Sequence, residues 1–528
     1  MQEHDFIVAG GGAGGCVVAA RLVQAGMRVL LIEAGPRDNH PFIHIPATFI
    51  KMHGTRRTWI YKTEKQEQLC GRNIHIPQGR TLGGGSSVNA MIYIRGQADD
   101  YNDWEAAGCN GWGWREVLPY FVKAEGNQRL AGPLHGTDGP LKVSDLTHRH
   151  PLSVAFVHAA QDAGYKYNDD FNGLSQEGAG FYQAMILNGR RSSAAAAYIK
   201  PLRNNPLLTI LTDAHVTKLI IEHEKVVGVN VLVNRKDEQI HRARSEVILT
   251  AGAVSTPKIL MLSGIGDAGE LERHGIKVIV DSTEVGKNFQ DHLTASVYGR
   301  TRDPISLLGH DRGIRAMKHG LQYLAYRSGL LSSNVIESGA FLDTDGAGRP
   351  DIQIHVTPTL VGDIDRAPPE GHGITINPCA LRPRSRGSVR LRTTNPLDQA
   401  QIDGGFLKDP ADLATMVRGI QASLDILRTG ELAKLTTGTL LLDGSTDLSI
   451  TQIEAHIKKI CKTVFHPIGT CRMGSDTRAV VNTRLKLNGL EGLRIADASI
   501  MPSMVSGNTT APTVMIGERC AEFILADL

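Results

Sequence analysis

Three glycines at Gly10-x-Gly12-x-x-Gly15, with an acid 18 residues further on at Glu33, are spaced to hold a dinucleotide. Gly10 suits a tight turn. Gly12 lets backbone approach a pyrophosphate, and Gly15 lets a helix pack closely on a strand. The N–H groups and partial positive charge of a helix N-terminus would face the phosphates. Glu33 can accept from ribose hydroxyls and would repel a 2′-phosphate, which disfavours NADP. A second loop, "GRTLGGGSSVNAMIYIRG" from Gly79 to Gly96, offers Arg80, Gly84, Gly85 and Ser86 as candidate cofactor contacts and concentrates backbone donors at the last three. Such a loop suits a pyrophosphate or a flat ring pressed against backbone. Near the C-terminus His466 stands in "FHPIGTCRMG", between apolar neighbours and before a Gly-Thr turn. A histidine there is either a base near neutral pH or a core histidine satisfied by backbone.

These residues need elements to place them. "DFIVA" (Asp5 to Ala9) reads as a strand, "CVVAARLVQAG" as a helix and "RVLLIEAG" as a second strand ending at Glu33. Strand, glycine turn, helix and strand make the first half of a doubly wound sheet. From about Lys218 the pattern becomes an antiparallel meander that returns to a buried strand at Val247 to Thr250. Helices are expected from Arg312 to Arg327 and from Pro410 to Arg428. The second has Leu413, Val417, Ile420, Leu424 and Leu427 on one face, Pro410 at its start and Gly430 beyond its end. Strands are expected at Ile352 to Val356 and Ser388 to Arg392. "VSGNTTAPTVMIGERC", from Val505 to Cys520, reads as a strand, a polar turn and a helix.

A chain of 528 residues predicts two or more domains. A net charge of +3 with both signs interspersed gives no reason to expect nucleic acid as a partner. Seven cysteines without CxxC spacing argue against a disulfide framework or a structural zinc site. The start "MQEHDFIVAGGG" lacks a signal-type apolar core, and no run is long enough to span a membrane. A cytoplasmic protein, soluble or peripheral to the inner membrane, is expected.

Six motifs in order carry a resemblance over essentially the whole chain. They are "VAGGGAGGCVVAARL", "GRTLGGGSSVNAMIYIRG", "GAVSTPKILMLSGIG", "VGKNFQDH", "FHPIGTCRMG" and "LRIADASIMP". With these the sequence resembles the glucose–methanol–choline (GMC) oxidoreductases, FAD enzymes that oxidise alcohols. Within that family it is most similar to bacterial alcohol dehydrogenases such as L-sorbose dehydrogenase. The resemblance implies an α/β plus α+β fold, a Rossmann-like FAD-binding domain with an interleaved substrate domain on an antiparallel sheet. The expected FAD-binding segments are 1–155, 207–300 and 478–528. The expected substrate-binding segments are 156–206 and 301–477. Val216 is expected at the adenine, Asp497 and Ala498 at the ribitol and pyrophosphate, and Asn89 and Ala90 beside the flavin ring. Where family members bond FAD covalently through the second loop, a histidine follows the two serines. Here that position is Val88, so dissociable FAD is expected.

Alcohol oxidation removes a proton from oxygen and a hydride from carbon, so a base must reach the hydroxyl. The resemblance makes His466 that base. The second member of the family's pair is His or Asn. In "GNTTAPT" the position expected to match is Thr510, whose hydroxyl orients the alcohol but cannot act as a base near neutral pH. Asn508 becomes the partner only if the register slips by two residues. Glu337, His355, Phe465 and Trp59 are further candidates for the substrate cavity. For Glu337 a structural salt bridge, and for Phe465 and Trp59 plain core, are the competing readings. The expected reaction is oxidation of a primary alcohol or sugar alcohol to an aldehyde or ketone, with electrons passed to a quinone or other acceptor. An alcohol oxidase using oxygen and an FAD-containing lyase are the alternatives.

Overall fold

Two separate cores, each built on its own sheet, organise the chain. The computed structural model describes residues 4–440 and 448–528. The first three residues and 441–447, inside the expected substrate segment, lie outside it. The first sheet has parallel strands in the order Leu208–Leu211, Val29–Ile32, His4–Ala9, Asp237–Leu249 and Leu493–Ile495. Its central strands are buried on both faces, so they read as continuous apolar runs rather than alternating ones. Strands Lys225–Val233 and Ala214–Glu222 extend it as an antiparallel meander. The meander strand and the buried strand expected at Val247 are one continuous element. Asp237–Leu249 is exposed in the hairpin half and buried where it enters the parallel sheet.

The helix Ala13–Gln24 follows the first glycine turn and packs on the C-terminal helix Thr510–Ala526. Their contact is close because it lacks side chains. A Cβ on Gly517 would stand 2.8 Å from the Val17 Cβ and 2.9 Å from the Gly14 carbonyl oxygen. Gly14 also sets the first helix against the end of strand Leu493–Ile495, where a Cβ would stand 2.2 Å from the Ala496 carbonyl oxygen.

The second sheet is antiparallel along its main path: Thr436–Leu440, Val297–Thr301, Gly373–Ala380, Ile352–Thr357, Ser338–Leu342 and Gly178–Phe181. Helices Pro151–Asp162 and Pro410–Leu427 pack against it, and Ile450–Ile460 packs on the latter. Pro410–Leu427 starts as its sequence suggests. Asp409 caps it by accepting from the Ala411 N–H at 2.9 Å, and Pro410 takes the first turn. Gly430 does not close that helix. Its φ of +54° lets the chain turn and begin the next one, Gly430–Leu435.

Several expectations shift. The helix Pro151–Asp162 crosses the boundary drawn at 155, and Val297–Thr301 crosses that drawn at 300. Both belong to the second core or sheet. Conversely Ala194, Ala195, Tyr198 and Ile199 belong to the first core, though they lie in 156–206. The sheet registers, rather than the sequence, set these borders. Residues Val505 to Thr509 form no strand and run as turns into the last helix. Ser388–Arg390 pairs with Gln401–Asp403 as a separate ribbon. All seven cysteines are free; six are buried and Cys70 is exposed. No helix among the described residues is long and apolar enough to cross a membrane.

Candidate active site

One cavity of about 880 Å³ runs from the first glycine turn to His466. At the turn end it is lined by Gly10, Gly12 and Glu33. Gly10 has φ +123°, and a Cβ there would lie 2.3 Å from the Thr250 carbonyl oxygen. Gly12 caps the helix without a side-chain bond, and no acid occupies its first turn, so the helix N-terminus is available to phosphate. Gly15 packs rather than lines: its Cβ would meet the Gly10 carbonyl oxygen at 2.0 Å. Glu33 accepts from the N–H groups of Gly11 at 2.9 Å and Gly35 at 2.8 Å. Burial pushes its carboxyl up to about 7 against those two donors.

The middle of the cavity is lined by Gly84, Gly85, Ser86, Asn89 and Ala90, with Val216, Asp497 and Ala498 opposite or beside them along the same space. Asp497 caps a short turn through Ser499 N–H at 2.8 Å. Its other oxygen accepts from Gly252 N–H at 2.9 Å and Thr256 at 2.6 Å. Val88 also lines the cavity. Arg80 does not. Its guanidinium stacks on Trp59, 4.5 Å from the ring centroid, and donates to the Ala34 carbonyl at 3.2 Å, so it braces the cavity wall from behind.

The far end holds His466, Asn508, Thr510, His355 and Phe465. Phe465 has a φ of +71°, an uncommon conformation for a bulky residue, and it immediately precedes His466. The His466 N–H donates to Asp291 Oδ1 at 2.8 Å, and Gln78 donates to the Phe465 carbonyl at 3.1 Å. Backbone contacts thus hold the turn that aims the imidazole.

The tautomer of His466 follows from its neighbours. His292 Nε2 lies 3.0 Å from the Leu381 carbonyl, which only accepts, so Nε2 carries the proton. The imidazole of His292 is buried, which lowers its pKa to about 4 and keeps it neutral, so its Nδ1 is bare. That nitrogen lies 3.0 Å from His466 Nδ1, which must therefore donate. His466 Nε2 is left without a proton, as an acceptor. Burial and the nearby His292 and His355 hold the His466 pKa well below 6.5, so it is a neutral acceptor at neutral pH.

Asn508, not Thr510, meets that nitrogen. Asn508 Nδ2 lies 3.3 Å from His466 Nε2. Gln353 Nε2 donates to Asn508 Oδ1 at 3.2 Å, which turns the amide nitrogen toward His466. This corrects the expected pairing. Gly507 has φ +151° and packs against Ile94, so the turn presents Asn508 to the cavity. Thr510 is the first residue of the C-terminal helix, and its Oγ1 accepts from Asn89 Nδ2 at 3.0 Å.

Glu337 is a second correction. It is buried away from the cavity and accepts from Ser333 Oγ at 2.7 Å and from the His150 N–H, with His148 Nδ1 at 2.9 Å. These contacts anchor it, and it does not line the cavity. His355, with its pKa lowered to about 4 by burial, and Trp59 both line the cavity.

Four residues escaped the sequence reading. His292 stands in "VGKNFQDH", but nothing local marks it as a partner of His466. Gln353 is an ordinary strand residue. Asp291, beneath His466, has its carboxyl pushed up to about 8 by burial. Arg191 is buried with no carboxylate partner among the described residues, and burial lowers it to about 9. It donates to Asn89 Oδ1 at 2.8 Å and the Ser86 carbonyl at 3.1 Å, and its Nη2 is unpaired.

Comparison with known proteins fits this geometry. Models of the GMC oxidoreductase family match residues 4–294 and 383–517. The chain belongs to the GMC oxidoreductases. As a GMC oxidoreductase it is 43% identical over 531 residues to an alcohol dehydrogenase [acceptor] of Pseudomonas putida, covering 99% of this chain and 96% of that relative. It is 39% identical over 537 residues to mitochondrial choline dehydrogenase of Homo sapiens, covering 99% and 90%. Among solved structures it is similar to pyridoxine 4-oxidase from Mesorbium loti, with TM-score 0.89 and 32% identity over 98% of this chain and 99% of that one. A formate oxidase of Aspergillus oryzae RIB40 gives TM-score 0.93 and 28% identity over 100% and 98%. GMC oxidoreductases bind FAD, and the glycine cradle, free helix N-terminus and long cavity of this chain fit that cofactor.

Proposed function

We propose that this GMC oxidoreductase is an FAD-dependent dehydrogenase of uncharged alcohols, with His466 as base and Asn508 as its partner. The observation that carries the reading is the bare Nε2 of His466 beside the Asn508 amide, at the end of the cofactor cavity. An alcohol oxygen within reach of both gives up its proton to Nε2 and accepts from Asn508 Nδ2 as negative charge grows on it. A base so placed contributes about 10²–10⁴ in rate. The imidazolium that forms keeps its Nδ1–H on His292. FAD, when bound, supplies the acceptor for the hydride that leaves the carbinol carbon. Loss of one proton and one hydride converts the alcohol to an aldehyde or ketone. Gly10, Gly12, Glu33, Asp497 and the Gly84–Gly85–Ser86 loop are the residues proposed to hold FAD, without a covalent bond because Val88 offers no nucleophile. Thr510 and Asn89 are proposed to orient one another at the cofactor.

An uncharged alcohol is favoured because Glu337, the carboxylate expected near the substrate, is spent on His148 and His150. Phe465, Val335, Ile336, Leu360 and Val361 give the cavity apolar wall. A primary alcohol fits this wall better than sorbose or another polyol. Anaerobic mixing of the FAD-loaded protein with benzyl alcohol, an alkanol, sorbose and choline tests the reading. Flavin bleaching by the uncharged alcohols is expected. Bleaching by none, or by choline alone, would sink it. Reoxidation by a quinone analogue is expected to outpace reoxidation by air. The likeness to pyridoxine 4-oxidase and formate oxidase supports an oxidase as the second reading, and faster reoxidation by air would decide for it.

A further inference from the structure

The helix Gly313–Tyr326 is built inside out. A helix on a globular surface ordinarily buries its apolar stripe and exposes its polar face. Here the inward residues are Ala316, His319, Gly320 and Tyr323, of which only Tyr323 is fully buried. The outward residues include Ile314, Met317, Leu321 and Leu324, exposed by 80%, 60%, 61% and 72%. At 3.6 residues per turn these four fall within about 80° of arc. They form a continuous stripe rather than scattered apolar residues, which would need no explanation.

The charges beside the stripe are of one sign. Arg315 and Lys318 are exposed on its flank, and Arg312 and Arg327 stand at the two ends of the helix. No acid occurs between Asp311 and Glu337. Asp311 pairs with Arg312 at 3.8 Å with both exposed, and Glu337 is buried. An apolar stripe with a cationic flank is complementary to the surface of a bilayer that contains anionic lipid, where the stripe enters the acyl boundary and the cations meet headgroups. It is poorly complementary to itself. A two-fold pairing of this helix with a second copy would set its cations against one another with no acid between them.

We propose that this helix docks the enzyme on an anionic membrane surface, lying in the interface rather than crossing it. The helix packs on the turn Leu330–Ser332, which packs on Pro46–Met52. Phe49 and Ile50 of that segment line the cofactor cavity, as does Asp311 just before the helix. Docking therefore sets one rim of the cavity close to lipid. That an apolar alcohol or quinone would enter from the bilayer rests on the functional reading above; the docking itself does not.

Flotation of the FAD-loaded full chain with vesicles tests the proposal. The protein is expected to float with phosphatidylcholine vesicles containing phosphatidylglycerol and much less with phosphatidylcholine alone. The double variant Leu321→Asp/Leu324→Asp is expected to float about tenfold less or worse. Arg315→Gln/Lys318→Gln is expected to lose the preference for phosphatidylglycerol. Both variants should keep the flavin spectrum and melting temperature of the parent, since all four side chains face out. Failure of the parent to float, equal flotation with both lipids, or unimpaired flotation of the leucine variant would each overturn the proposal. So would a parent dimer that does not float and that the leucine variant splits into monomers, because a second copy would then cover the stripe.

Discussion

His466 and Asn508 divide the work at the residue scale, and substitutions should separate their shares. His466→Ala is expected to slow flavin reduction by about 10²–10⁴, read by anaerobic stopped flow. Asn508→Ala removes the donor to the developing oxyanion and should cost about 10²-fold. Thr510→Ala, which loses only the bond to Asn89, should cost far less. Equal losses at 508 and 510 would contradict the pairing read from the 3.3 Å contact. The pH dependence has a definite sign. Protonating His466 Nε2 removes the acceptor, and its pKa is held well below 6.5. Flavin reduction should therefore stay level through neutral pH and fall only in more acid solution. An acid limb above 6.5 would count against His466. The sequence marked His466 through its motif, but the choice between Asn508 and Thr510 was not legible. Two residues apart in a turn, they are sorted by the backbone at Gly507, whose φ of +151° no residue pattern announces.

Close-packed glycines carry the site at the scale of elements. Gly507→Ala would put a Cβ 2.3 Å from the Ile94 side chain and shift Asn508. The expected result is retained FAD with turnover reduced by about 10²-fold, because small misplacements of a reacting group cost that much. Gly14→Ala would press on the Ala496 carbonyl, beside Asp497, and loosen the first helix from the sheet. A loss of about 1–3 kcal/mol is expected from such overpacking, with weaker FAD retention, both read from melting curves with and without added cofactor. The first strand, glycine turn, helix and second strand were legible because period and glycine spacing coincide there. The helix Pro410–Leu427 was legible from periodicity and caps, and Gly313–Tyr326 falls where a helix was expected. In the loop after Gly79 the apolar run "MIYIRG" makes only an isolated bridge from Ile92 to Ala184, with Met91 and Tyr93 packed into the first core and Ile92 and Ile94 into a small cluster with Phe171, Tyr182 and Phe341.

Taken whole, the molecule has two cores that share one cavity. A cofactor lying along that cavity touches segments from both and should couple them. Calorimetry is expected to show two resolved transitions without FAD and one, at higher temperature, with it. Saturation at a hundredfold excess over Kd would add about 2.7 kcal/mol. A single unshifted transition in both states would refute the coupling. Domain borders were the least legible feature, because helix Pro151–Asp162 and strand Val297–Thr301 are assigned by long-range packing that local pattern does not record. Cysteine placement has a practical consequence at this scale. With six thiols buried and Cys70 alone exposed, the unaltered chain offers a single address for a maleimide dye or a gold surface. Every molecule tethered through that address would present the same face outward, so an electrode could carry an oriented monolayer without any mutation.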